Sequence, residues 1–343
     1  MKIAIHNSTK GFHPHWIDYC TKLNIPFKVV DCYANDIIEQ LEDCFVLFWH
    51  HHHNGTKDIL IAKQLLFALE HTGFKVFPDF KTGWHFDDKV AQKFLLERIG
   101  APLVPTYVFL NKKDALHWIS NQTFPKIFKL RGGAGSKNVK LIKTKHEAVK
   151  ICHKAFGSGI SNHDSLENLK ERWRNYKTGR SNLKHVLAGI ARLVFKPNFL
   201  KVKGKDFGYV YFQDFIPDLD RDYRTKIFED KCWGYQRLVR EGDFRASGSG
   251  SDSYIYTDDA IPQEILKLTF EIAEKLSLKS AAFDFLISND KIYLVEVSCF
   301  YGFNDLQHHG YWDRNYQFIK GPFNPFGWMI DSALKENVGV NVE

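Results

Sequence analysis

The chain has 343 residues, 44% of them hydrophobic, enough for two or three packed modules. No apolar run reaches membrane-spanning length. The six cysteines (Cys20, Cys32, Cys44, Cys152, Cys232, Cys299) form neither a CxxC pair nor a metal-ligand spacing, so they are expected to be reduced and mostly buried. The formal charge of +7 is local: Leu166 to Lys205 holds eleven Lys or Arg against two acidic residues, and such a segment suits a nucleic acid, a membrane surface or any anionic substrate.

Residues 1–86 alternate strand and helix. Lys2–His6, Phe27–Val30, Cys44–Trp49 and Val76–Phe77 read as strands, with helices between them that include Asn35–Leu41 and Lys57–His71. That order predicts a small doubly wound parallel sheet. The opening MKIAIHNSTKG reads as a strand and a polar turn, not a secretory leader, which gives the expectation of a cytoplasmic protein. The turn Asn7–Gly11 lacks G-x-G-x-x-G, which argues against a dinucleotide site. His50–His53 follow a strand's carboxyl end, where such folds place ligands. Adjacent residues on an extended chain point to alternate faces, so the four cannot all converge on one metal. A polar loop edging a substrate cleft is the expectation.

Asp87-Asp88 is expected to cap a helix to about Ile99, with Gly100 as its stop. Strand Tyr107–Leu110 and a helix from Lys113 to Ser120 follow, then strand Phe124–Leu130. Arg131-Gly132-Gly133-Ala134-Gly135-Ser136-Lys137 comes next and leads into strand Asn138–Ile142. Three glycines in four residues let the backbone approach a ligand and offer N–H groups to an anion. The spacing is not that of a P-loop, and strands flank it on both sides. It reads as a plain hairpin tip or as a flap over phosphates. His146–Phe156 reads as an amphipathic helix. The basic segment then interleaves Trp173, Tyr176, Phe195 and Phe199 with its charges. Stacking on bases would be the nucleic-acid reading. An insertion whose basic face is solvated or grips an anionic substrate is expected instead, so nucleic acid is not an expected partner.

Tyr209–Pro217 is a strand, and Asp222–Phe228 with Cys232–Val239 forms a hairpin around Glu229-Asp230-Lys231. A polar run, Gly242–Ser251, precedes a helix from Pro262 to about Leu276. The next hairpin, Ala281–Ser288 with Ile292–Ser298, carries one carboxylate in each apolar arm, Asp284 and Glu296. A two-residue turn would pair Asp284 with Val295. A three-residue loop, Asn289–Lys291, pairs Asp284 with Glu296 and is the expected register. Opposed like charges repel, and hard oxygens beside phosphate suit Mg²⁺. Two edge carboxylates facing water fit these residues equally well. The aromatic tail Leu306–Ile330 is expected to pack over the site.

Together these pieces resemble the ATP-grasp superfamily, most closely glutathione synthetase and RimK-like carboxylate–amine ligases, over roughly Asp87 to Gly302 in that family's order. The resemblance implies an α/β ATP-grasp fold. A small doubly wound N-terminal domain (1–86) would precede a linker helix and α+β lid domain (87–212) with a basic insertion at about 158–205. An α+β C-terminal domain (213–343) would follow, with ATP held between the last two. It also implies residue roles. Lys89, in Asp88-Lys89, would bind cofactor, and Lys129 would contact the ATP α- and β-phosphates. Gly132, Gly133, Gly135 and Ser136 would form the flap. Gln213-Asp214-Phe215-Ile216 would be the hinge whose backbone reads adenine, with Asp214 where the family usually has Glu. Arg224, in Asp222-Tyr223-Arg224, would lie near the γ-phosphate or acyl-phosphate. Arg245, in Gly242-Asp243-Phe244-Arg245, would face the reacting carboxylate. Asp284 and Glu296 match the two metal-binding acids, and Ser298 stands where a third ligand, usually Asn, is found, for one or two Mg²⁺ ions.

The implied activity is ATP-dependent ligation, in which a carboxylate becomes an acyl-phosphate that an amine attacks. The expected substrates are a small-molecule, saccharide or peptide carboxylate and an amine, the acid being anionic to match the basic surplus. An ATP-dependent kinase on the same fold and a non-catalytic nucleotide- or nucleic-acid-binding protein are the other readings. A homodimer is the expectation from the prevalence of twofold assemblies.

Overall fold

A computed structural model describes residues 1–132, 139–161, 173, 176, 182–194, 202, 204–239, 254–302 and 308–340. The chain divides into two compact units. One holds Met1–Phe86, Ala91–Leu103 and Pro217–Glu343, the other Asp87–Val90 and Val104–Ile216.

The larger unit contains a parallel sheet in the order Phe27–Val30, Lys2–His6, Cys44–Phe48, Lys75–Phe77. Its central strands are apolar on both faces because helices cover both. Ile3, Ile5, Val46 and Phe48 pack toward Trp16, on helix His13–Lys22, and toward Met329 and Ile330. Ala4 and Leu47 pack the other way, against Ala62 and Leu66 of helix Thr56–His71. Met329 and Ile330 belong to helix Pro325–Val340, whose Asp331 carboxylate accepts the Tyr19 hydroxyl proton, its oxygens 3.0 and 2.9 Å from the hydroxyl. The end of the tail therefore closes the core beneath the N-terminal sheet, where its aromatics lose their water. Leu306 lies outside the described residues.

The same unit holds a second, antiparallel sheet in the order Lys291–Ser298, Ser280–Ser288, Arg221–Phe228, Lys231–Leu238, Gly310–Trp312, Phe318–Lys320, with Tyr254–Ile255 pairing Lys231–Leu238. Helix Gln263–Leu276 lays Ile265, Leu266 and Phe270 on Ile227, Phe283 and Phe285. Thr225 and Thr269 hydrogen-bond across that contact at 2.8 Å. Strand alternation then sends the intervening residues, among them Asp222, Arg224, Lys226 and Asp284, to the opposite face.

In the smaller unit an antiparallel sheet runs Thr106–Phe109, Val210–Asp214, Lys126–Lys129, Val139–Ile142. Helices Lys112–Ser120 and Lys145–Phe156 cover one face through Ala115, Ile119, Ala148 and Cys152, packed on Phe128 and Phe212. Both helices are capped. Asn111 accepts from the Lys113 N–H at 2.7 Å, and Thr144 accepts from the Glu147 N–H at 3.2 Å. Helix Leu183–Val194 lies in the basic segment. All six cysteines are free and buried. No described helix is long and apolar enough to cross a membrane.

Candidate active site

The polar face of the larger unit's antiparallel sheet gathers the chemistry. Asp284 stands opposite Glu296. The route to that register differs from the expected one. Asn289 and Asp290 both have positive φ, 49° and 59°, the signature of a two-residue turn, and Ser288 pairs with Lys291. The ladder slips by one residue between Asp284 and Phe285, which leaves Val295 as an extra residue in the second arm. This bulge, not a three-residue loop, brings the two acids face to face.

Asp284 is buried and held by two guanidiniums: Arg224 Nη1 at 3.2 Å and Arg237 Nη2 at 2.9 Å from Oδ1. Arg237 also grips Asp222, with Nε donating to Oδ1 at 2.9 Å and Nη2 to Oδ2. Asp222 is fully buried, and that burial pushes its carboxyl up to about 6 against the opposing pull of Arg237. Burial alone would lower the Arg237 pKa. The Asp284 and Asp222 carboxylates outweigh it and raise the value. Lys226, two residues beyond Arg224 on the same face, is fully buried, with its ammonium over the rings of Tyr235 and Tyr301 at 5.0 and 5.3 Å.

Ser298 lies on the same face as Glu296, opposite Ala282, and donates its hydroxyl proton to the Phe300 carbonyl at 2.7 Å. Its oxygen lone pairs are then the acceptor end of that group. Two carboxylates and a hydroxyl are hard donors that fit Mg²⁺, an ion that commonly takes one or two protein carboxylates and fills its shell with water and phosphate. Among the described residues no cluster of three His, Cys, Asp or Glu side chains is able to hold a metal.

The smaller unit carries the residues assigned to the nucleotide. Lys129 is buried and donates to Gln213 Oε1 at 2.6 Å, while Gln213 Nε2 donates to Thr106 Oγ1 at 3.0 Å. Asp214 points to the other face of the sheet and pairs with Lys126 at 2.6 Å. Its side chain is thereby removed from Lys129, and only its backbone shares the hinge edge. Phe215 and Ile216 are half-buried. Lys89 is buried, and its N–H donates to the Arg131 carbonyl at 2.9 Å, at the foot of the glycine loop. Asp88 accepts from Arg131 Nε at 2.9 Å. Gly132 is described; Gly133, Gly135, Ser136 and Arg245 lie outside the described residues.

The histidine run is not the expected polar loop throughout: His50 and His51 are buried, while His52 and His53 are half-buried. His50 stacks on Phe300 at 4.1 Å, accepts the Phe12 N–H at Nδ1, and donates its backbone N–H to His13 Nε2. Gly11 turns there at φ 69°, where a Cβ would meet the His50 ring at 2.8 Å. These imidazoles serve as backbone acceptors in a packed layer.

Arg237 and Lys226 escaped the motif reading. The signal was available in both cases. A two-residue turn at Glu229-Asp230 puts Arg237 directly opposite Asp222, and period two puts Lys226 beside Arg224.

No protein-family model and no curated protein matches the chain. Solved structures do. A RimK domain ATP-grasp protein from Sphaerobacter thermophilus is similar over 89% of this chain and 94% of that one, with a TM-score of 0.55 and 16% identity. The ATP-grasp ligase PsnB, in complex with a minimal precursor, Mg and ADP, is similar over 97% of both chains, with a TM-score of 0.54 and 11% identity. D-alanine–D-alanine ligase from Bacillus anthracis is similar over 89% of both, with a TM-score of 0.51 and 14% identity.

Proposed function

Because the chain has the ATP-grasp fold, we propose that it is an ATP-dependent ligase that activates a carboxylate as an acyl-phosphate for attack by an amine. The observation that carries this reading is Asp284 facing Glu296 with Arg224 and Arg237 on Asp284. An acid pair flanked by fixed guanidiniums is the apparatus that phosphoryl transfer asks for, since that reaction needs positioning and charge neutralisation more than covalent help.

Asp284, Glu296 and the Ser298 oxygen would hold one or two Mg²⁺ ions, and the metal, when bound, supplies positive charge to phosphate oxygens. The chain's own cations do the rest. Lys129 and Lys89 would bind the ATP phosphates, and the backbone of Gln213, Asp214, Phe215 and Ile216 would read the adenine edge. Gly132, Gly133, Gly135 and Ser136 would cover the phosphates and keep water from the intermediate. Arg224 and Arg237 would meet the oxygens of the transferring phosphoryl group as the substrate carboxylate attacks phosphorus and ADP leaves. Arg245 would steady the reacting carboxylate. The amine then attacks the acyl carbon, and phosphate leaves. Lys226, buried on the same face as Arg224, supports an acid substrate with a further negative charge, such as a saccharide acid or a peptide acid.

Hydroxamate trapping tests the proposal: protein, Mg·ATP, hydroxylamine in place of the amine, and pooled carboxylic acids, with phosphate release followed in parallel. A hydroxamate formed with one pool is the expected result. Phosphate transferred to a hydroxyl acceptor, with no hydroxamate from any pool, would overturn the ligase reading in favour of a kinase.

A further inference from the structure

We propose that the side chains of Gln213 and Thr106 are positioning residues, which hold the Lys129 ammonium where it meets the nucleotide phosphates. The inference rests on the reading of Lys129 as a phosphate contact. Four residues of the smaller unit form one line of hydrogen bonds. Lys129 Nζ donates to Gln213 Oε1 at 2.6 Å, Gln213 Nε2 donates to Thr106 Oγ1 at 3.0 Å, and Thr106 Oγ1 donates to the Val104 carbonyl at 2.7 Å. The sheet sets this line up. Thr106 and Gln213 are direct cross-strand partners, and Lys129 lies diagonally from Gln213 on the next strand, opposite Tyr211. Period two puts all three side chains on one face.

The line runs in one direction only. An ammonium donates and cannot accept, so the amide turns its oxygen to Lys129 and its NH₂ to Thr106. The threonine oxygen then accepts, and its single proton goes to Val104. Lys129, Gln213, Thr106 and Val104 are 6, 3, 5 and 2% exposed, so water does not readily replace any member. A lysine has a flexible four-carbon stem, and a ligand that must order it loses affinity unless the protein has ordered it beforehand. Gln213 thereby serves the nucleotide twice: its backbone lies on the edge proposed to read adenine, and its side chain steadies the cation proposed for the phosphates. Asp214, one residue on, faces the other way and pairs with Lys126 at 2.6 Å, so its carboxylate takes no part in the line. A brace for the hinge alone would affect adenosine and ADP alike, whereas a positioning role acts on the phosphates only.

The test measures Mg·ADP affinity by calorimetry and adenosine affinity by ligand-observed NMR on the full chain. Gln213→Met, which removes the acceptor and keeps the backbone, should weaken Mg·ADP at least about tenfold and leave adenosine within about twofold. Thr106→Val should weaken Mg·ADP at least about threefold, because the buried amide NH₂ loses its acceptor and the amide its fixed orientation. Thr106→Ser should restore the parent affinity. The double variant Gln213→Met/Lys129→Met should bind Mg·ADP no more weakly than Lys129→Met, since Gln213 acts through that lysine. Losses that add in the double variant overturn the proposal, as does an equal fall in adenosine and Mg·ADP affinity. Thr106→Val, which removes no contact to the ammonium, carries the same test if Gln213→Met does not fold. Unchanged Mg·ADP affinity in these variants, beside a Lys129→Met that binds it weakly, sinks this inference alone. A Lys129→Met that binds Mg·ADP normally removes the phosphate reading and this inference with it.

Discussion

Lowering the pH from about 7.5 to about 5 should cost the folded chain about 4 kcal/mol through His13 and His51 alone. His13 is fully buried with both ring nitrogens engaged: Nδ1 donates to the Lys10 carbonyl at 2.7 Å and Nε2 accepts the His50 N–H at 3.1 Å. That arrangement is complete only for a neutral ring, and burial lowers the His13 pKa to about 4. His51, 4% exposed, is edged by Phe86 and Phe300, and its buried Nε2 has no hydrogen-bond partner among the described residues. Burial, with Lys63 adding to it, lowers the His51 pKa to about 3. Both titrate near 6.5 in the unfolded chain. Because the folded values are depressed, the unfolded state takes up protons first as the pH falls. The stability is fully present above about 6.5 and is lost toward about 4 and about 3. At about pH 5 each residue is mostly charged in the unfolded chain and neutral in the folded one, which is worth about 2 kcal/mol apiece. Total stabilities run about 5–15 kcal/mol, so the loss is a large fraction. Urea denaturation across this range measures it. His51→Phe should remove about 2 kcal/mol of the loss with little change at neutral pH, since a phenyl ring suits a site lined by Phe86 and Phe300. A stability that stays flat across the range, or a slope unchanged in His51→Phe, would refute the reasoning.

Three further outcomes test the site. Glu296→Gln should reduce acyl-phosphate trapping by at least about a thousandfold with the circular dichroism unchanged, and near-normal turnover would remove the acid pair from catalysis. Lys129→Met should weaken Mg·ATP binding at least about tenfold by calorimetry, and an unaltered affinity would take Lys129 out of the nucleotide site. Asp222→Ala strips a buried guanidinium of one partner and should cost about 3–5 kcal/mol in urea denaturation. A cost below about 1 kcal/mol would mean that Arg237 is satisfied by Asp284 alone.

Much of the fold was legible because its strands bury one or both faces and so write their period into the sequence. Cys44–Phe48 is buried at every position, and Ser280–Ser288 alternates between a helix-packed face and a polar one. The pairing of Asp284 with Glu296 was also anticipated, but through the wrong turn. The bulge at Val295 has no compositional mark: a valine in a strand looks the same whether or not it is paired. Asn289-Asp290, by contrast, did carry the two-residue turn signal, since both residues tolerate positive φ. The burial of His50 and His51 was illegible for another reason. Imidazole reads as polar in a pattern, and only tertiary structure supplies the backbone N–H groups that let it sit in a core.

The charges on the ligand face argue for one last outcome. There Asp284 and Glu296 stand opposite each other beside Arg224 and Arg237, and Asp222 shares Arg237. Asp284 shares its one charge between both arginines, at 3.2 and 2.9 Å. A divalent ion drawn to Asp284 and Glu296 would leave the arginines' charge for phosphate, which couples metal and nucleotide binding without any movement of the backbone. Asp284→Asn separates the two roles. It leaves the arginines with one negative charge fewer beside them, so ATP in the presence of a chelator should bind it severalfold more tightly than the parent chain. The gain from adding Mg²⁺ should shrink by at least about tenfold. Calorimetry with and without Mg²⁺ reads both quantities. Equal weakening in the two conditions would mean that Asp284 only braces the sheet, and the metal assignment would go with it.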